Sequence, residues 1–243
     1  VCEHLERQGY TIHRQTVDGM GRLNLDEYQA LLSDDVALVT IMWANNETGT
    51  LFPIEQMAQM AKARGILFHT DGVQAVGKLP INLATSAIDL LSFSGHKLHG
   101  PKGVGALYVR RGTRFRPLLR GGHQERGRRA GTENSAGIVG LGMACELAEL
   151  HMPMLQGPIR ELRDRLQEGL LARIPCARVT GDPQNRTANT LNIAFEYVEG
   201  EAILLMLNQL GIAASSGSAC TSGSLEPSHV MRGMRIPYTA AHG

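Results

Sequence analysis

Cysteine is scarce: the 243 residues hold four, at positions 2, 145, 176 and 220, far from one another. No two form a CxxC pair or stand at a zinc-type spacing. Neither a disulfide framework nor a structural metal is therefore expected. Excess charge of one sign is also missing, since 24 Lys and Arg nearly cancel 23 Asp and Glu to leave a formal net charge of +1. Bulk charge thus gives no argument for nucleic acid or for a membrane surface. No apolar run approaches the roughly 20 residues of a bilayer span, and no charged-then-apolar leader opens the chain. Internal repeats and low-complexity segments are absent too. The expectation is a soluble, cytoplasmic protein, long enough to bury a large core.

What is present is a rhythm of strands and helices. "VALVTIMW" (36–43) is a continuous apolar, β-rich run, the pattern of a strand buried on both faces. Pro53 opens a helix that places Ile54, Met57, Ala58 and Ala61 on one face, and Gly65 stops it. "ILFHTD" (66–71) and "IDLLSFS" (88–94) read as further strands, and "GVGALYV" (103–109) as a return beside the last of them. Such βαβ order predicts an α/β fold, with a mainly parallel sheet and a site at the carboxyl ends of its strands. From Asn134 to about Ala172 the pattern is helical, broken near Pro153 and Pro158. A strand "NTLNIAF", a helix "GEAILLMLNQLG" and a Ser/Gly-rich stretch follow. The expected division is a large domain over 1–150 and a smaller α+β domain over 151–243. Both ends read as those of a fragment: "VCEHLERQGY" opens as the second half of a helix, and "MRIPYTAAHG" stops on a turn.

Chemistry concentrates in three stretches. In "HTDGVQAVGK", Asp71 and Gln74 follow a predicted strand directly. Asp is a favoured helix cap, but at a sheet edge it also suits a cationic ligand nitrogen, such as the pyridinium of pyridoxal phosphate. Position alone leaves both readings open. In "SFSGHKLHGPKGVG" (92–105), Ser94, His96 and Lys97 stand together after the next strand. A lysine there can form a Schiff base while hydroxyl and imidazole neighbours bind phosphate. Lys97 is preferred to Lys102 because it follows the strand end, whereas Lys102 sits inside a PKG turn. In "SSGSACTSGS" (215–224), Cys220 is flanked by small, polar residues, the setting of a mobile, reactive thiol rather than a core cysteine. The arginine-rich segment 110–134 has one aromatic and no regular period. It reads as a solvated loop or subunit contact, with a phosphate-binding contribution from its "RRAGT" end.

Taken together, NNETGT, HTDGVQAVGK, SFSGHKLHGPKGVGALYVRR, RRAGTEN, EGEAILLMLNQLG and SSGSACTSGSLEPSHVMRGM resemble the cysteine desulfurases of the nitrogen-fixation and iron–sulfur-cluster type. These are class-V aminotransferase relatives that depend on pyridoxal 5'-phosphate. The resemblance implies a three-layer, mainly parallel sheet of the pyridoxal-phosphate aminotransferase fold (fold type I). It makes Lys97 the Schiff-base lysine, Asp71 the partner of the ring nitrogen and Gln74 the partner of the ring hydroxyl. Ser94 and His96 would bind the phosphate, and Thr132 would reach the phosphate of a neighbouring subunit, which implies a homodimer. Asn46 would lie near the cofactor and the substrate carboxylate. Cys220 would take sulfur from L-cysteine as a persulfide, leaving L-alanine, and pass it to an iron–sulfur scaffold or other acceptor protein. The family's glycine-containing phosphate loop and ring-stacking histidine are expected before Val1, and its carboxylate-binding arginine after Gly243. Other enzymes of the fold, an aminotransferase or a selenocysteine lyase, share the Asp/Lys arrangement, so Cys220 and its loop discriminate: an aminotransferase needs no mobile thiol. An inactive fragment serving only as a binding surface would show no Schiff-base absorbance.

Overall fold

The computed structural model describes residues 1–216 and 227–243. Helices α1 (Cys2–Arg7) and α2 (Leu25–Leu31) precede strand β1 (Leu38–Met42), helix α3 (Ile54–Ala63), and strands β2 (Leu67–Asp71), β3 (Leu90–Ser94) and β4 (Gly105–Val109). A 3₁₀ turn, Gly95–Leu98, links β3 to the return strand. The four strands form one sheet in the order β1-β2-β3-β4. β1 pairs with β2 and β2 with β3 in parallel, while β3 and β4 pair antiparallel with Ser94 opposite Gly105. The mainly parallel sheet and its returning last strand are as the sequence predicts.

Helix α3 covers one face because its apolar positions recur at helical spacing. Ile54, Met57, Ala58 and Ala61 are all buried, against a core that includes Phe68, Ile88 and Leu91. Burying side chains the size of Ile54 and Met57 contributes roughly 1.5–3 kcal/mol each. The helix ends where Gly65 takes a left-handed φ of +70°, with Ile66 N donating back to Ala61 O at 3.0 Å.

The opposite face departs from expectation. β1 buries Val39, but Leu38 and Met42 are exposed, so the strand is not covered on both sides. β1 is an edge strand among the described residues, and α3 lies on the Val39 side alone.

After the single turn α4 (Gln124–Gly127), helices α5 (Ser135–Met154) and α6 (Arg160–Arg173) are joined by a π-helical segment, Leu155–Ile159. The chain therefore does not break at Pro153 and Pro158. Pro153 sits inside α5, and the wider π turn accommodates Pro158. Residue 150 lies inside this run. Within this 39-residue run one 18-residue stretch has a mean hydropathy of 1.3, long and apolar enough by length and composition to cross a membrane, although no uninterrupted apolar run reaches that length. The run nonetheless carries Glu146 and Glu149, and its Gly140 packs closely on Pro101 beyond the 3₁₀ turn.

Strands β5 (Ala177–Val179) and β6 (Ile193–Phe195) make a separate antiparallel pair, followed by α7 (Gly200–Gln209), α8 (His229–Gly233) and α9 (Tyr238–Ala241). A clasp of polar contacts ties this part to the NNETGT loop. Leu51 N donates to Asn185 O and Thr187 N to Gly49 O, each at 2.9 Å. Asp182, 1% exposed, accepts from Arg22 Nε at 2.6 Å. The loop that carries Asn46 is thus held from both sides.

Candidate active site

Parallel pairing brings the strand ends together. Met42, Asp71 and Ser92 are in register across β1, β2 and β3, so the loops after them open at one edge, the usual ligand edge of such sheets. Trp43 N donates to Asp71 O and Gly72 N to Ser92 O, each at 2.8 Å. These bonds fix where each strand gives way to its loop.

Asp71 closes β2, and its Oδ1 accepts from Val73 N at 2.9 Å. A turn rather than a helix follows Asp71, so this bond closes that turn instead of capping a helix, and it engages one carboxylate oxygen only. One turn on, Gln74 Oε1 accepts from Lys78 Nζ at 2.6 Å. At the end of β3, Ser94 Oγ and His96 Nδ1 lie 2.7 Å apart, a hydrogen bond whose donor depends on the imidazole tautomer. Lys97 follows on the same 3₁₀ turn and is exposed. That turn is closed by Gly95 N donating to Val104 O and Gly100 N donating to Gly95 O, both at 2.9 Å. Asn46 is exposed, beside a buried Asn45 whose Oδ1 accepts from Glu47 N and Thr48 N.

Lys97 also lines a cleft of roughly 550 Å³ between the 3₁₀ turn and α5, with Lys78, His99, Met143, Leu147 and His151. Burial, with the nearby charge of Lys97, holds the Lys78 ammonium below the usual lysine range. Thr132 is exposed and makes no hydrogen bond to the other candidates among the described residues. Segment 110–134 around it is largely exposed loop apart from α4. Cys220 lies outside the described residues.

Two residues of the edge escaped the sequence reading. His69 bridges three strands: its Nδ1 is 2.7 Å from Thr40 Oγ1 and its Nε2 is 3.2 Å from Ser92 Oγ. Burial pushes its imidazole below the ordinary histidine range, partly opposed by the Asp71 carboxylate. Lys78 is the other. Both stand inside HTDGVQAVGK, at i−2 from Asp71 and i+4 from Gln74, so strand and helix spacing were the available signals.

The donor set fits pyridoxal phosphate. A paired hydroxyl and imidazole suit a phosphate, a carboxylate at the adjoining strand end suits a protonated ring nitrogen, and an exposed amine stands beside them. An α/β fold with this constellation at its strand ends defines the class of fold-type-I pyridoxal-phosphate proteins. Residues 1–240 match the aminotransferase class-V family, and the chain belongs to that family. It is 68% identical over all 243 residues to the cysteine desulfurase NifS of Azotobacter vinelandii, and 70% identical over the same length to a cysteine desulfurase of Enterobacter agglomerans. The chain spans about 60% of the length of either relative. Among solved structures, a NifS-like protein superposes with a TM-score of 0.90 at 36% identity, covering 100% of this chain and 63% of its own.

Proposed function

We propose that the protein is a cysteine desulfurase that uses pyridoxal 5'-phosphate to convert L-cysteine to L-alanine and passes the sulfur to an acceptor protein. The observation that carries this reading is the placement of Lys97 one turn beyond β3, next to the Ser94–His96 pair and across the strand ends from Asp71. Bound there, the cofactor supplies an electron sink for the pair released at the substrate's α-carbon.

In this proposal Asp71 holds the ring's nitrogen end through its carboxylate, and Gln74 donates to the ring's hydroxyl oxygen. Ser94 and His96 bind the phosphate, and Asn46 orients the substrate carboxylate. The Lys97 amine takes and returns the substrate's α-proton, acting as general base and then general acid. Cys220, as thiolate, attacks the substrate sulfur: a Cys220 S–S bond forms, the substrate C–S bond breaks, and its electron pair leaves with the carbon skeleton that becomes alanine.

Thr132 reaches the phosphate of a second copy of the chain in a homodimer. An exposed apolar row on α5 (Val139, Met143, Leu147, Leu150 and Met154) supports cover by further protein. The acceptor is an iron–sulfur scaffold or similar protein. The unpaired Cys2, Cys145 and Cys176 support a reducing, cytoplasmic setting. Replacing Cys220 by Ser in the full chain tests the assignment. Cofactor binding is expected to persist while alanine and sulfide production from cysteine is lost. Retained turnover in that variant, with loss instead on replacing Cys145 or Cys176, would remove Cys220 from the mechanism.

A further inference from the structure

A carboxamide has a donor end and an acceptor end, and nothing in its shape decides which one faces a ligand. Gln74 is not left to choose. Its Oε1 accepts from Lys78 Nζ at 2.6 Å, and an ammonium, with three donors and no acceptor, pairs only with the oxygen. The reversed amide would set its NH₂ against the Lys78 charge. Gln74 Nε2 makes no hydrogen bond to any other described residue, so its two N–H donors remain for a ligand.

Lys78 is itself held in place. It is half-buried, it follows Gly77 at a φ of +73°, and its carbonyl accepts from Gln156 Nε2 at 2.5 Å. The backbone turn and the π-helical segment thus fix the lysine from two directions.

We propose that Lys78 is a positioning residue, orienting the Gln74 carboxamide so that its NH₂ is the end offered to the cofactor's ring oxygen. This rests on the cofactor reading above. Lys78 acts through Gln74 and needs no contact with substrate. The charged and titratable groups that share its cleft are Lys97 from the 3₁₀ turn, His99 just beyond it and His151 from α5.

The test uses the full chain loaded with pyridoxal phosphate. Cofactor affinity and the position and pH midpoint of the visible band are measured in Lys78→Met, Lys78→Arg, Gln74→Ala and the Lys78→Met/Gln74→Ala double variant. Lys78→Met is expected to weaken cofactor binding about 2- to 10-fold, the range of one hydrogen bond, and to move the band as Gln74→Ala does. Arginine, also donor-only, keeps wild-type behaviour. In the Gln74→Ala background Lys78→Met costs no further cofactor affinity, because the pathway it acts through is gone, while the pH midpoint still registers the lost Lys78 charge beside Lys97. A full additional loss in the double variant, or a Lys78→Met protein indistinguishable from wild type, overturns the proposal. Should Lys78→Met fail to fold, Lys78→Leu, which also lacks a donor, serves in its place, alone and in the Gln74→Ala background, with the same outcomes. A wild-type chain that shows no visible band on loading refutes the cofactor reading itself, and the role of Lys78 falls with it.

Discussion

Gly77 joins the segment after β2 to the turn that bears Lys97, and replacing it by alanine separates two physical costs. Its φ of +73° lies in the left-handed region, where a Cβ costs about 1–2 kcal/mol. That Cβ would also stand 2.4 Å from Leu98 Cδ2 and 3.0 Å from Ala148 Cβ. Leu98 is only 8% exposed, so it has little room to swing away, and overpacking of this kind costs about 1–3 kcal/mol. The reduced freedom of the unfolded chain offsets about 0.4–1 kcal/mol. The net destabilisation is about 1–4.5 kcal/mol. Gly65 supplies the control, because its φ is +70° but a Cβ there would meet nothing within 4 Å. Gly65→Ala is therefore expected to cost about 0–1.5 kcal/mol, the strain alone less the entropy gain. Urea unfolding of the full chain, followed by circular dichroism, reads both variants at constant m. Equal costs for the two would refute the packing argument. A Gly77→Ala change below about 0.5 kcal/mol, the scale of an ordinary surface substitution, would refute the strain argument as well.

Asp182→Ala removes a 1% exposed carboxylate that accepts from Arg22 Nε at 2.6 Å and from Gln184 N and Asn185 N at 2.9 and 3.1 Å. With those donors orphaned, the urea midpoint is expected to fall by the equivalent of about 2–4 kcal/mol, and an unchanged midpoint would contradict the clasp. The Arg22 partnership holds the Asp182 carboxyl well below the usual carboxylate range. Its stabilisation is therefore present above about pH 4 and is lost as pH falls further, a loss the alanine variant should lack. Burial depresses the His69 imidazole, so its contribution to stability is present above about pH 6.5 and declines as pH falls below that value. His69→Gln should flatten the unfolding midpoint between pH 7 and pH 5, roughly the histidine range; an unchanged slope would exclude His69 as its source. Lys102→Ala is expected to leave the visible absorbance of the cofactor-loaded chain intact, and its loss there would point to the wrong lysine.

Much of the site was legible because it depends on local pattern. Asp71 and Ser94 end apolar strands, and parallel βαβ order alone puts such ends at one edge. The turn-and-return from β3 to β4 could likewise be read from glycines between two apolar runs. Coverage was less legible: Leu38 and Met42 have the composition of buried residues, yet their exposure depends on what packs against β1. The join between α5 and α6 was misread because proline signals a break and a π turn leaves no mark of its own. The clasp was hidden for another reason. Arg22 and Asp182 are 160 residues apart, and no periodicity links them. Lys78 lay in plain view at i+4 from Gln74, but its choice of the amide oxygen exists only once side chains are placed.

The proposed chemistry turns on Lys97 as the residue through which the protein holds its cofactor. Borohydride reduction of the cofactor-loaded full chain, followed by peptide mass mapping, tests this directly. A pyridoxyl group is expected on the Lys97 nitrogen and none on Lys78 or Lys102; modification of either of those lysines in its place, or of no lysine at all, would contradict the assignment.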